Sequence, residues 1–233
     1  LGDVYKRQVV YTPAVGSDNR ILTNFRSLGF EPIKRAALLG IITRHTDGIC
    51  VAGSHGKTTT SSMTAWILEQ TPGGCNAFLG GILRNTGSNL MLSRGSNLSV
   101  VEADEYDRSF HQLSPWLAVI TSTDPDHLDI YGDEAGYLEG FSHFTSLIRP
   151  GGTLVVNSSL TLPLRLAEGV RLETYSGHDL TRRGDWWPGN IRRKPGSLTF
   201  DIHGPGAFIP DISLGVPVEI NIDNAVAAAA ATA

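Results

Sequence analysis

Short, wholly apolar runs alternate along this chain with longer stretches whose apolar residues recur at three- and four-residue spacing. Residues 9–12 (VVYT), 32–34, 48–52 (GICVA), 76–79, 98–103, 117–122, 153–157 and 171–175 predict strands, several of them buried. Residues 19–28 place Ile21, Leu22, Phe25 and Leu28 on one helical face. Further helices are predicted over 36–43, 57–70, 135–148 and 160–167, and a last one begins near Ile222. The clusters Pro72-Gly73-Gly74 and Pro150-Gly151-Gly152 stop two of them. This alternation predicts an α/β fold, a mostly parallel sheet flanked by helices. Beyond Ser176 the texture changes: residues 198–203, 207–209 and 212–214 are short strands broken by Gly and Pro, and they predict a small antiparallel sheet. A boundary is expected around residues 43–47, ahead of GICVA.

Composition narrows the classes. The 233 residues are 41% hydrophobic and 18% charged, enough for a real core in one large domain, or in one domain plus a fragment. Nineteen Lys and Arg against 23 Asp and Glu give a net charge of −4, which argues against a surface built for nucleic acid. No apolar run approaches the roughly 18 residues of a membrane span, so no membrane insertion is expected. Cys50 and Cys75 are too few for a disulfide scaffold and read as buried thiols of a reducing, cytoplasmic compartment. Residues 1–8 (LGDVYKRQ) are unpatterned and are set aside as a candidate non-native leader. Leu at position 1 and a stop inside a helical run lead to the expectation of a partial protein.

The sharpest chemical signal is Gly53-Ser54-His55-Gly56-Lys57-Thr58-Thr59, after a strand and opening a helix. Glycines let backbone N–H groups turn towards phosphate oxygens, and the helix N-terminus adds partial positive charge. Lys57 suits β- and γ-phosphates, and the Thr58 hydroxyl suits Mg²⁺. Only two residues separate Gly53 from Gly56, where the common Walker pattern has four. A second element follows at another strand end: Glu102, Asp104, Glu105 and Asp107 fall within six positions, oxygen donors of the kind a hard cation prefers. The next strand ends in TDPDHLD, where acids flank His127; the ring reads as a metal ligand or as a neighbour of metal-bound phosphate. His45, His111, His143, His178 and His203 have no such partners in the sequence and read as structural or exposed. Trp186-Trp187, beside Arg182 and Arg183, is expected in a loop and reads as local packing rather than a nucleic-acid patch.

GSHGKTT, VEADEYDRSF, DPDHLDIYGD and the final NIDNAVAAAA, in this order and spacing, resemble the Mur ligases. The resemblance implies a P-loop NTPase-like central ATP-binding domain over residues 47–233, cut before a C-terminal domain. It makes residues 1–46 the tail of a Rossmann-like UDP-sugar-binding domain. It also implies a ligase that uses ATP and Mg²⁺ to join L-alanine to the lactyl carboxylate of UDP-N-acetylmuramate through an acyl phosphate. Carried over residue by residue, it assigns Gly53, Ser54, His55, Gly56, Lys57, Thr58 and Thr59 to the ATP phosphates. Thr58, Glu102 and His127 go to magnesium, with Lys57, Glu102 and His127 as the catalytic set. Asn221 and Asn224 are assigned to the adenine, and Asn89, Asp107, Arg108 and Ser109 to the UDP-sugar. Tyr106, His111 and Ile220 depart from the family pattern. Three other readings stay open: a recycling ligase that attaches a murein tripeptide, a P-loop NTPase of another class, and a nucleotide-binding fragment without catalysis.

Overall fold

The computed structural model describes residues 8–12 and 14–233, so all of the set-aside residues 1–8 except Gln8 lie outside the described ones. The chain opens with β1 (Val10–Tyr11), α1 (Arg20–Ser27) and β2 (Ile33–Lys34), with β1 and β2 pairing in parallel. Asn19 caps α1 by accepting from the Ile21 and Leu22 N–H groups. Helix α2 (Arg35–His45) leads into β3 (Asp47–Ala52), and α3 (Lys57–Glu69) follows. Then come β4 (Asn76–Leu83), β5 (Ser88–Met91), β6 (Leu98–Glu102) and β7 (Leu117–Ile120). Short α4 (Leu128–Tyr131) and α5 (Glu134–Ser146) precede β8 (Thr153–Asn157) and β9 (Arg171–Tyr175). The chain finishes with β10 (Trp187–Lys194), β11 (Ser197–Gly204), β12 (Ala207–Ser213) and α6 (Ile220–Ala230).

Seven strands form one sheet in the order β5-β4-β6-β3-β7-β8-β9, parallel except for the β4–β5 pair. Period-2 alternation divides the strand residues between two cores. Ile49, Val51, Val100, Val119 and Val155 face the side covered by α3 and α6. Cys50, Ala52, Val101, Ala118, Ile120 and Leu154 face the other side, where Leu39 of α2 and Phe141 and Phe144 of α5 pack. The alanines of α6 are almost all buried, and their small side chains let α6 lie close against the core. From β3 the chain crosses to β4 and the edge strand β5, comes back to β6 beside β3, and then builds the other flank with β7, β8 and β9. The crevice at the C-terminal ends of β3, β6 and β7 is therefore a topological switch point, where open α/β sheets bind ligands. The expected α/β class and the small antiparallel sheet, β10-β11-β12, are both present.

Three expectations need correction. Residues 160–167 are not a helix. Leu160, Leu162, Leu164 and Leu166 alternate with exposed residues along an extended segment and lean on the α5-side core. That is a period of two, and Pro163 has no N–H for a helix ladder. Residues 207–209 and 212–214 are one strand: Asp201 of β11 faces both Pro210 and Asp211, and this bulge takes Asp211 to φ 54°. The stretch after Trp186 is the edge strand β10 rather than a loop. Trp186 itself is buried, and its indole N–H donates to Glu173 at 2.8 Å.

Candidate active site

The phosphate-loop sequence sits between the tip of β3 and the start of α3. Gly53 has φ 140° and Gly56 has φ 83°, values that L side chains rarely adopt. A Cβ on Gly53 would meet the Thr121 hydroxyl at 2.0 Å, and one on Gly56 would meet Asn224 Oδ1 at 2.6 Å. The loop rests on the end of β7: Ser54 N–H donates to the Ser122 carbonyl at 3.2 Å and His55 N–H to Ser122 Oγ at 2.7 Å. The Thr121 hydroxyl donates to Ala52 O at 3.1 Å and also reaches His55 O. The His55 ring is exposed, 3.9 Å from Asp124.

Two of the three expected metal positions are in direct contact. The Thr58 hydroxyl, on the first turn of α3, donates to Glu102 Oε1 at 3.0 Å, and Glu102 Oε2 accepts the Gly80 N–H at 2.9 Å. Strand β6 ends at Glu102 beside the β3 tip because Val51 and Glu102 are register partners. Thr58 and Glu102 are hard oxygen donors, a set that suits Mg²⁺. His127 has other neighbours. Its ring meets Tyr106 edge-on, with centroids 5.2 Å apart, and Nε2 lies 3.7 Å from Asp126. No group of three His, Cys, Asp or Glu side chains among the described residues is arranged to hold a metal ion.

The lysine of the loop has a partner that sequence reading did not assign. Lys57 Nζ donates to Gly53 O at 2.6 Å and to Glu105 Oε1 at 2.8 Å. The Glu105 side chain is 2% exposed, and both of its carboxylate oxygens lie 2.8 Å from Lys57 Nζ. Burial pushes the Glu105 carboxyl above the usual carboxylate range, and Lys57 opposes that shift. The acidic run was visible in the sequence, but nothing in its spacing picks out Glu105.

The asparagines form a brace. Asn224, on α6, is buried; its Oδ1 accepts the Thr60 hydroxyl at 3.2 Å and its Nδ2 donates to Asn221 Oδ1 at 3.1 Å. Asn221 Nδ2 donates to Val216 O at 3.1 Å. Asn224 is thus tied to the phosphate-loop helix rather than open to a nucleobase. Thr59 is half-buried on α3.

A cavity of about 420 Å³ opens beside Glu102, lined also by Thr12, Arg35, Asp104, Tyr106 and Ser109. Of the residues expected at the UDP-sugar, only Ser109 lines it. Asp107 pairs with Lys34 at 2.8 Å, and Arg108 lies over the Tyr131 ring at 5.2 Å. Asp107 and Arg108 hold φ values of 51° and 53°, so the chain bends sharply between Glu105 and Ser109. Asn89 is exposed on β5. Among the histidines read as unpartnered, His178 has a partner: Nδ1 lies 2.8 Å from Asp223.

Residues 51–232 match the Mur ligase middle domain, and the chain belongs to the Mur ligase family. It is 56% identical to the UDP-N-acetylmuramate–L-alanine ligase of Parabacteroides distasonis over 234 residues, 99% of this chain and 50% of the relative. Identity to the Porphyromonas gingivalis enzyme of that name is 53%, over 95% of this chain and 48% of the relative. The chain thus spans about half the length of the curated relatives it matches. Among solved structures, the UDP-N-acetylmuramate–alanine ligase of Thermotoga maritima matches with a TM-score of 0.77 and 25% identity, covering 96% of this chain and 50% of that one. The UDP-N-acetylmuramate:L-alanyl-γ-D-glutamyl-meso-diaminopimelate ligase from Neisseria meningitides matches with 0.78 and 26%, covering 95% of this chain and 72% of that one. No helix among the described residues is long and apolar enough to cross a membrane.

Proposed function

We propose that this chain is the ATP-binding part of a ligase that joins L-alanine to the lactyl carboxylate of UDP-N-acetylmuramate, a step in making peptidoglycan precursors. The Thr58–Glu102 contact at the base of the shortened phosphate loop carries the reading, in a chain whose relatives at 53–56% identity bear that activity in their names. In this reading residues 1–46 belong to the UDP-sugar-binding domain and residues 47–233 to the ATP-binding domain.

The chemistry is acyl activation. A lactyl carboxylate oxygen attacks the γ-phosphorus as the bond to ADP breaks, which gives an acyl phosphate. The L-alanine amine then attacks the acyl carbon, loses a proton and displaces inorganic phosphate. Gly53 and Gly56 leave the loop open to phosphate, and Lys57 offsets charge on the transferred phosphoryl oxygens. The Thr58 hydroxyl and the Glu102 carboxylate fit Mg²⁺ and would hold it, while the Gly80 N–H fixes the second Glu102 oxygen. A bound ion would supply neutralisation of phosphate charge. The cavity beside Glu102 is where the acceptor carboxylate would approach, with Ser109 and Arg35 on its wall.

A murein tripeptide in place of L-alanine is the second reading, favoured by the fold match to the Neisseria ligase. The test incubates the full-length protein containing this chain with UDP-N-acetylmuramate, ATP and Mg²⁺, and with L-alanine or the tripeptide. Mass spectrometry should find product with L-alanine, and Lys57→Ala should lower turnover at least ~100-fold, the scale of losing one charge-stabilising donor. The 233-residue chain alone should give little product. Product with the tripeptide only would overturn the L-alanine assignment, and full turnover by Lys57→Ala would remove the phosphate role.

A further inference from the structure

An ammonium has three protons to donate, and those of Lys57 are aimed inward. Nζ lies 2.6 Å from Gly53 O, 2.8 Å from Glu105 Oε1 and 3.5 Å from Ser54 O. The cation is therefore folded back into the loop that is expected to receive phosphate. Its carboxylate partner is fixed from behind: the Tyr131 hydroxyl donates to the Glu105 main-chain oxygen at 2.6 Å, and Arg108 N–H donates to the same oxygen at 3.0 Å. Glu105 is almost wholly buried, and Lys57 is the one side chain among the described residues that donates to its carboxylate. A buried charge with a single counter-ion holds that counter-ion strongly, because separation leaves it unpaired out of water.

We propose that Glu105 is a positioning residue that parks Lys57 at the floor of the loop until a β- or γ-phosphate takes the ammonium over. Carboxylate and phosphate compete for one cation, so polyphosphate binds against the hold of the Lys57–Glu105 pair. A nucleotide without β- and γ-phosphates does not reach Lys57 and does not feel the competition. The inference rests on the nucleotide reading of the site and adds a residue that the reading does not use.

The test is calorimetric titration of the full-length protein containing this chain with ATP, ADP and AMP in the presence of Mg²⁺, for the wild type, Glu105→Gln and Lys57→Ala. Glu105→Gln should bind ATP and ADP more tightly, by a factor on the order of ten, as expected when one charge-assisted hydrogen bond no longer has to be surrendered. AMP affinity should not change. A merely structural role would weaken all three nucleotides together. Should Glu105→Gln not fold, Glu105→Asp keeps the charge but withdraws it by one methylene, and a smaller gain confined to ATP and ADP is expected. An amine-reactive label read by mass spectrometry gives an independent measure: in nucleotide-free wild type, Lys57 should react far more slowly than exposed Lys194. Equal labelling, or ATP affinity unchanged or weakened in Glu105→Gln, would overturn the parking role while leaving the nucleotide site standing. If wild type binds ATP no better than Lys57→Ala does, the nucleotide reading falls and the parking role falls with it.

Discussion

Gly56→Ala probes the geometry of the phosphate loop through two separable effects. At φ 83° an alanine enters the left-handed region, which costs about 1–2 kcal/mol. Its Cβ would also stand 2.6 Å from Asn224 Oδ1, well inside the 3.4 Å at which ordinary contact begins. The amide must retreat by about 0.8 Å, which breaks a bond from the buried Thr60 hydroxyl that is already 3.2 Å long. Losing that bond adds about 1 kcal/mol, so the variant should lose roughly 2–3 kcal/mol in all. Asn224→Ala orphans the same Thr60 hydroxyl and removes the clashing atom. The double variant should therefore be more stable than the summed single losses imply, by about 1 kcal/mol. Urea unfolding followed by circular dichroism measures all four corners of this cycle. Strict additivity, or a Gly56→Ala loss under about 0.5 kcal/mol, would refute the contact between α6 and the loop.

Two other expectations concern histidines. His127→Ala in the full-length protein should raise the Mg²⁺ concentration needed for half-maximal turnover several-fold; an unchanged titration would assign the ring to packing on Tyr106. Burial, joined by the neighbouring His143 and Arg108, holds the His111 imidazole below its ordinary value of 6.5, against the pull of the Gly140 carbonyl. The unfolded chain then takes up a proton first, so stability is intact above about pH 6.5 and falls as pH drops towards the folded value. The slope is at most about 1.4 kcal/mol per pH unit, and Tm measured at pH 7.5 and 5.5 should show that part of the acid loss missing in His111→Gln.

How legible the molecule was depends on the range of the interaction. The phosphate loop could be read because its requirements are local: two glycines with positive φ and a lysine and threonine at the mouth of a helix, all within seven positions. The buried strands could be read because alternate residues serve opposite cores, which forces apolar side chains at every position. The extended segment at 160–167 was misread through its leucine content, although its alternation and Pro163 were on view. Strand β10 was missed for a different reason. It lies at a sheet edge and carries Arg192, Arg193 and Lys194, so pairing with β11 makes it a strand rather than any pattern of its own. The site divides along the same line. Glu102 stands out in the sequence because a strand end announces it, whereas the partner of Lys57 lies 48 positions away and that of Thr60 lies 164 away. Those polar contacts exist only once strand order and helix docking are set. A search confined to motif spacing therefore passes over Glu105 as the partner of Lys57, and it finds Asn224 without showing that its side chain is tied to Thr60.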